Sequence, residues 1–317
     1  MQQGGDAAAR RAAVDAVPGV VIAEPETEAV PATARPASGV GMRTWATGFG
    51  FSSRIGADRN GPGYTTRRSG VTFGIDRFFD PTVLAGVTFS ASRSHTKAPN
   101  VRAEAETLSG GGYVFWSPHA GWEVDGLLSL NWSEIETLRV LAFDGVPTPT
   151  RGDTGGLGAS AFANAGYRFR MPIAAGEAYA KPFAGLAYSS QRRDGFAEVG
   201  FFGAGLGFPL KTFERGALNL GLTLGTNLTA VAGWAIRPEI RVAYSRFLND
   251  PSPSVPAFLG GTALTLRDPD PGRDGALLAL ELAAYQTGSF EFFTGYAGEF
   301  RSNATAHQGR VGVRLSW

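Results

Sequence analysis

Strict alternation of apolar and polar residues, repeated about twelve times between Arg43 and Trp317, is the feature that most constrains this fold. In the clearest segment, from Trp122 to Trp132, every second residue is apolar or glycine, and the residues between them include Glu123 and Asp125. A period of two is that of a β-strand. The chain is therefore predicted to be all-β, with strands at about 43–54, 67–79, 83–95, 103–116, 122–133, 157–171, 177–191, 216–228, 234–247, 275–287, 290–301 and 306–317.

The connections between these strands fall into two classes. Those after the second, fourth, sixth, eighth and tenth strands are short, as at Asp80-Pro81. Those after the first, third, fifth, seventh and ninth are mostly long, at 55–66, 96–102, 134–156, 192–215 and 248–274. Outer-membrane barrels have short turns at one end, long loops at the other and an even number of strands, whereas a soluble sandwich has no reason to segregate its loops. We therefore predict an antiparallel transmembrane β-barrel of about twelve strands over residues 43–317.

Composition narrows the function. The formal net charge of +1 argues against a nucleic-acid binder with a basic face, and the absence of cysteine excludes a disulfide framework. No window approaches the ~20 consecutive apolar residues of a membrane helix, which alternating barrel strands do not require. The sequence from Met1 to Asp6 lacks the basic and apolar regions of a signal peptide. Because an outer-membrane protein must be exported, we expect that the true N-terminus is missing.

Residues 1–42 form a separate pre-barrel segment. Asp6 is placed to cap a short helix over 7–17, which Pro18-Gly19 would end, and the later prolines exclude a longer helix. Two interpretations remain open. The segment is either a disordered leader or a linker that passes through the barrel pore and tethers a domain outside.

Charged residues on the predicted strands are expected to face the lumen, because Arg or Lys facing lipid at the bilayer midplane costs ~2–4 kcal/mol. The candidate lumen-facing charged track is Arg168, Arg170, Arg237, Glu239, Arg241, Glu281, Glu299 and Arg314. It is either a solvated pore wall with cross-strand ion pairs, or a track that holds a linker or keeps a threading chain from sticking. The six tryptophans lie near predicted strand ends and are expected to form an interfacial girdle: Trp45, Trp116, Trp122, Trp132, Trp234 and Trp317.

Four stretches resemble the autotransporter β-domain, the translocator of type V secretion. Trp45-Ala-Thr-Gly48-Phe49-Gly50 resembles its first strand, Gly70-x-x-x-Gly74-x-Asp76 its second, and Pro182-x-x-Gly185-Leu186-Ala187-Tyr188 its seventh. The closing stretch is similar to the barrel assembly signal of that family, carried by Arg310, Gly312, Leu315 and Trp317. The resemblance implies a monomeric twelve-stranded barrel in a Gram-negative outer membrane. It also implies contact with lipid and the barrel assembly machinery, and a covalently attached passenger.

Two functions follow. The first is a translocator that supports secretion and surface display of an N-terminal passenger; the alternative is a free-standing porin or adhesin that uses loops 134–156 and 248–274. No catalytic, cofactor-binding or metal site is predicted, since only three histidines exist and no Gly-x-Ser-x-Gly occurs. Residues 1–42 contain no asparagine, which argues against the asparagine-based passenger release of some relatives. The enzymatic alternative that remains is protease or lipase chemistry by a pair of lumenal carboxylates.

Overall fold

The structure, a computed structural model, describes residues 41–118, 121–143, 146–174, 176–200, 205–229, 234–286 and 290–317. The predicted pre-barrel segment therefore lies outside the described residues up to residue 40. Within the described ranges, no helix is long and apolar enough to cross a membrane.

Strands account for most of the described chain. In chain order they are β1 Met42–Ile55, β2 Tyr64–Asp80, β3 Val83–Ala98, β4 Val101–Trp116, β5 Trp122–Phe143, β6 Val146–Tyr167, β7 Phe169–Ile173, β8 Gly176–Arg193, β9 Phe196–Ala197, β10 Val199–Gly200, β11 Leu206–Phe208, β12 Lys211–Thr229, β13 Trp234–Phe247, β14 Ser254–Leu259, β15 Thr262–Arg267, β16 Asp274–Gln286, β17 Phe290–Arg301 and β18 Ala304–Ser316.

Twelve antiparallel strands close into a barrel when β6 and its continuation β7 are counted as one. The order is β1, β2, β3, β4, β5, β6/β7, β8, β12, β13, β16, β17 and β18, and β18 returns to β1. At the seam, Arg43 pairs with Ser316 and Ile55 with Ala304. The Met42 amide donates to the Trp317 carbonyl at 3.1 Å, and the Trp317 amide donates to the Met42 carbonyl at 3.0 Å. The predicted all-β barrel of twelve strands is confirmed.

Residues that alternate in the sequence lie alternately on the outer and inner faces of the barrel wall. Outward residues such as Phe89 and Leu130 are about two-thirds exposed, at 64% and 65%, whereas inward Phe293 is 1% exposed. This is the pattern of a barrel whose apolar side chains face outward. β1 is an exception, because its outward face carries Gly48 and Gly50 and its inward face carries aromatic residues.

The assignment of Trp45 to an interfacial girdle was wrong. Its indole is 4% exposed on the inward face of β1 and donates a hydrogen bond to Tyr113. Trp116, Trp122, Trp132 and Trp317 are exposed on the outside. The error arose because the tryptophan lies near a strand end but on the face opposite to the usual apolar one.

Two predicted loops are strands instead. The supposed loop 134–156 is a continuation of β5 and β6, which pair up to Phe143 and Val146, and the supposed loop 96–102 is a turn at Pro99-Asn100. The outward charges of Glu134 and Glu136 suggested a loop, since a strand facing lipid cannot carry them cheaply. A strand that extends beyond the hydrocarbon region has no such restriction.

The long connections 192–215 and 248–274 contribute the strands of a separate sheet, in the order β15-β14-β11-β9. Its core consists of Leu206, Phe208, Val255, Ala257 and Leu266. This sheet is held to the extended hairpin of β5 and β6 by a buried ion pair between Arg139 and Glu198. The Glu198 carboxylate also accepts from Thr150 Oγ1 at 3.2 Å and from the Leu206 amide at 3.1 Å.

Candidate functional site in the barrel lumen

The candidate site is the inner wall near the barrel end where the connections are short. Here a chain of polar contacts joins three strands. Arg43 Nε lies 2.5 Å from Asp76 Oδ1, Tyr113 Oη donates to Asp76 Oδ2 at 2.7 Å, and Trp45 Nε1 donates to Tyr113 Oη at 2.8 Å. Both side chains of the Arg43–Asp76 pair are 1% exposed. A charged pair this deeply buried is stabilised by further hydrogen bonds. Both Asp76 oxygens accept one, whereas Arg43 Nη1 and Nη2 meet no hydrogen-bond partner among the described residues.

Glycine makes the contact between Tyr113 and Asp76 possible. Both residues pair directly with Gly86 of β3, so the tyrosine lies across that strand to reach the second strand away. A Cβ at Gly86 would lie 2.6 Å from Tyr113 Cζ and 2.6 Å from the Ile75 carbonyl oxygen. No side chain fits there without displacing the tyrosine.

The same arrangement recurs on the other side of the barrel. Tyr179 and Glu239 both pair with Gly225 of β12, and Tyr179 Oη donates to the Glu239 carboxylate over that glycine. A Cβ at Gly225 would lie 2.4 Å from Tyr179 Oη. The inner wall therefore contains at least two tyrosine–glycine–carboxylate rows. In each row the tyrosine side chain crosses the strand that carries the glycine, and neighbouring strands are ~4.8 Å apart.

A third row uses arginine in place of tyrosine. Glu281 and Arg310 both pair with Gly295 of β17, and Arg310 Nη2 lies 2.5 Å from Glu281 Oε2. Arg310 is one of the four residues of the predicted assembly signal. Gly312, another, pairs with Phe293, and a Cβ there would lie 2.3 Å from Phe293 Cζ. Leu315 and Trp317, the remaining two, are exposed on the outside.

Two carboxylates each gather two cations. Glu291 Oε1 lies 3.5 Å from Arg237 Nη2, and Glu291 Oε2 lies 2.6 Å from Arg314 Nη1. Glu123 lies 2.6 Å from Arg168 Nε and 3.0 Å from Lys181 Nζ. Removing such a carboxylate would leave two buried cations without their shared partner.

Arg168 also links two of these groups. Its guanidinium lies 4.0 Å from the centroid of the Tyr179 ring, the same tyrosine that donates to Glu239. The inner wall at this end is thus a set of connected, mutually neutralising groups.

Five of the eight candidate track residues take part in these contacts, namely Arg168, Arg237, Glu239, Glu281 and Arg314. Arg241 lies farther along the inner wall, where its Nε donates to Thr223 Oγ1 at 3.3 Å. Glu299 is near the opposite end, paired with Arg301. Arg170 is apart from the rest, on the exposed strand β7, 3.9 Å from Glu177.

Sequence reasoning missed Tyr113, Tyr179 and Lys181 as members of this wall. Part of a signal existed for Tyr113, because the short turn at Pro81-Thr82 joins β2 to β3; a register shift between Phe78 and Asp80 then places Gly86 opposite Asp76. An inward glycine between an aromatic residue and a carboxylate indicates a contact across the intervening strand. Such a pattern can be read only after the register of three strands is known.

The long-connection end contains a separate buried group. Arg193 is 2% exposed, and its guanidinium lies 5.1 to 5.8 Å from the ring centroids of Phe196, Phe208 and Phe213. Asp268, which follows β15, is equally buried. Burial raises the pKa of Asp268 to about 7, and the nearby positive charges of Arg215 and Arg193 partly oppose that rise.

The inner wall has few reactive groups. Among the described residues there is no cluster of three or more His, Asp or Glu side chains that could hold a metal ion. The carboxylates described at the short-connection end are engaged with arginine, lysine or tyrosine. The arrangement is suited to lining a passage with balanced charge.

The comparisons with known proteins agree on one family. The family model described as the autotransporter β-domain matches residues 44–297. Among solved structures, the chain is similar to the translocator domain of the autotransporter NalP from Neisseria meningitidis, with 18% identity, a TM-score of 0.68, and coverage of 87% of this chain and 88% of that one. The β-domain of the Bordetella autotransporter BrkA is 19% identical with a TM-score of 0.63, and the match covers 88% of this chain and 100% of that one. The transport unit of the autotransporter AIDA-I from Escherichia coli is 14% identical with a TM-score of 0.63, and the match covers 92% of this chain and 94% of that one. These structural likenesses show a shared fold; a search of curated proteins gives no match.

Proposed function

This chain belongs to the autotransporter β-domain family, and from that premise we propose how its barrel supports passenger secretion. The chain is a translocator barrel of the kind found in bacterial outer membranes. The observation that carries the proposal is a closed twelve-stranded barrel whose inner wall is charged yet internally paired. The passenger precedes the barrel in the chain and is displayed at the end with the long connections.

In this proposal the linker is the predicted segment 1–42 up to the start of β1 at Met42, and it passes through the lumen to the passenger. Residue 41 precedes the first residue of β1 at the short-connection end, so the linker enters the lumen there. The paired charges of Arg237, Glu291 and Arg314 give a threading chain few unpaired ions to bind. The charged track therefore keeps the passage wet and prevents the chain from sticking.

The closing strand targets and seals the barrel. Leu315 and Trp317 are exposed on the outside, where the barrel assembly machinery can bind them, while Arg310 and Gly312 complete the inner wall. Deleting Trp317 removes the backbone pair with Met42 and the exposed terminal ring. We expect lower outer-membrane levels of that variant, measured by fractionation and immunoblotting. Full insertion without Trp317 would remove this role from the signal.

The alternative is a free-standing porin or adhesin, and conductance distinguishes the two. The full chain and a variant lacking residues 1–40 are each reconstituted in planar bilayers, and single-channel currents are recorded. A translocator with its linker in the lumen shows low conductance that rises when the linker is deleted. Large conductance that deletion does not change would favour a porin.

The chain is proposed to have no enzymatic activity of its own. The lumenal carboxylates of Glu123 and Glu291 are each held between two cations, an arrangement that stabilises the wall and does not present them to a substrate. Unspecific protease and esterase substrates given to the purified barrel should be turned over no faster than by buffer. Turnover abolished by Glu123→Gln or Glu291→Gln would contradict this.

A further inference from the structure

The outer face of the barrel lacks side chains at three neighbouring positions over the seam between β18 and β1. Gly48 and Gly50 lie on the outward face of β1, and Gly50 pairs with Gly309 of β18. A Cβ built at any of these three glycines meets no atom within 4 Å. Three neighbouring positions without side chains leave a shallow groove between the side chains that flank them.

Aromatic rings border this groove on the β17 side. Tyr296 pairs with Gly309, and Tyr296 Oη lies 2.8 Å from His307 Nδ1, with the two rings stacked at 6.1 Å between centroids. Phe300 meets His307 edge-on at 5.6 Å. Aromatic rings beside a groove of this kind are suited to packing against the C–H face of a sugar.

Cations border the groove on the β2 side. Arg67 pairs with Ser52, and Arg54 with Thr65, which makes the two arginines diagonal neighbours about 7–8 Å apart. Lys97 pairs with Thr65 on the far side. All three side chains are exposed, and within the described ranges none has an ion-pair partner.

Other outward arginines at this end of the barrel differ in that respect. Arg192 lies 4.0 Å from Asp194, Arg246 lies 3.1 Å from Asp274, and Arg93 pairs with Glu106. The three unpaired cations beside the groove therefore form a local concentration of positive charge. They are placed to meet an anionic ligand, and a phosphate with several acceptor oxygens is the strongest such partner.

Apolar side chains continue from the groove toward the middle of the barrel wall. Val71 pairs with Gly48, and Phe73 follows on the same face; they are 45% and 56% exposed. Beyond Gly309, Val311 and Val313 continue the apolar face of β18. A ligand that fills all three regions has acyl chains, a sugar and a phosphate in one molecule.

We propose that this groove binds the phosphorylated head group of an outer-leaflet glycolipid. The sugar packs on Tyr296 and His307, the phosphate is bound by Arg54 and Arg67, and the acyl chains lie along Val71 and Phe73. The proposal rests on the proposed function only in placing the long-connection end of the barrel at the outer leaflet. The bound lipid would cover the seam where the first and last strands meet.

The test uses the full chain, purified in detergent and checked for folding by heat-modifiable gel migration. The probe is an acylated glucosamine disaccharide carrying two phosphates, titrated and counted by native mass spectrometry. Its dephosphorylated form and inorganic phosphate are the two comparison ligands. Arg54→Gln/Arg67→Gln is expected to weaken binding of the phosphorylated probe at least about tenfold, because it removes two charged hydrogen-bond donors to the phosphate. Dephosphorylation of the probe should have a similar effect.

The matched control is Arg192→Gln/Arg246→Gln, which removes the same charge from outward residues that already have acidic partners. Its affinity should equal that of the unaltered chain. Gly50→Leu keeps every charge but places a side chain in the groove, and it should also weaken binding of the phosphorylated probe. Equal weakening in the control, equal binding of the dephosphorylated probe, or full competition by millimolar inorganic phosphate would overturn the proposal. Passenger display is measured on the same variants. Loss of display with normal lipid binding would contradict the translocator role alone, whereas loss of lipid binding with normal display leaves that role intact.

Discussion

Substituting alanine for Gly86 tests whether the tyrosine–glycine–carboxylate row stabilises the barrel. A Cβ at this position would lie 2.6 Å from both Tyr113 Cζ and the Ile75 carbonyl oxygen, so it cannot be accommodated by moving the ring alone. Displacing Tyr113 removes its hydrogen bond to Asp76, and a bond to a charged group contributes ~1.5–3 kcal/mol. Overpacking adds ~1–3 kcal/mol, and the lower entropy of the unfolded chain returns ~0.4–1 kcal/mol. We therefore expect Gly86→Ala to lower the free energy of unfolding by about 2–5 kcal/mol.

The measurement is urea unfolding of the refolded protein in detergent micelles, followed by tryptophan fluorescence and by heat-modifiable gel migration. Gly48→Ala is the matched control, because it is the same substitution in a strand of the same barrel with open space at the Cβ. It should be neutral or stabilising by ~0.4–1 kcal/mol. Tyr113→Phe should lose the hydrogen bond without overpacking and fall between the two. Equal effects at Gly86 and Gly48 would refute the reasoning, since the two sites are predicted to differ in sign.

Two further perturbations test the charged groups. Glu291→Gln leaves Arg237 and Arg314 buried without their shared carboxylate, and it should lower the free energy of unfolding in urea by about 3–5 kcal/mol. The control Glu177→Gln, at an exposed ion pair, should lower it by less than ~1 kcal/mol. Similar losses for the two variants would contradict the account. Asp268 has its folded pKa raised to about 7, so the folded protein holds this proton more tightly than the unfolded chain does. The contribution to stability is therefore complete below about pH 4 and is lost as the pH rises to about 7 and beyond. The melting temperature of the unaltered chain should fall relative to Asp268→Asn over that interval; parallel pH profiles would argue against a buried, protonated Asp268.

The barrel itself was predictable because each strand carries its own two-residue period. The β13 and β17 strands start at the residues expected, and the closing strand pairs with β1 beside Trp45, as Arg314 faces that residue across the seam. The short turns between even and odd strands were predictable for the same reason. They are places where the period breaks for only a few residues.

The long-connection end was predicted less well, because the meaning of a charged residue depends on its height in the membrane. Glu134 and Glu136 break the apolar face without breaking the strand, and nothing in their local sequence shows where the hydrocarbon ends. The small sheet of β9, β11, β14 and β15 was missed for a different reason. Its strands are six residues or shorter and pair over long separations, as Leu206 does with Leu259.

The inner wall could be predicted in composition but not in its pairing. Alternation identified Arg237 and Arg314 as inward-facing, but both meet Glu291, and β13 and β17 are separated by β16. Contacts that cross an intervening strand depend on side-chain reach and on inward glycines. A single strand does not contain that information.

Surface display of a passenger tests the central claim most directly. A folded reporter is fused ahead of Met1, behind a signal peptide, and produced in a Gram-negative host. Reporter exposure is measured by antibody labelling and protease digestion of intact cells, and barrel folding in the outer-membrane fraction is measured by heat-modifiable migration. The account predicts a folded barrel together with a reporter that is labelled and digested on intact cells. A folded, inserted barrel whose reporter stays protected in the periplasm would contradict it.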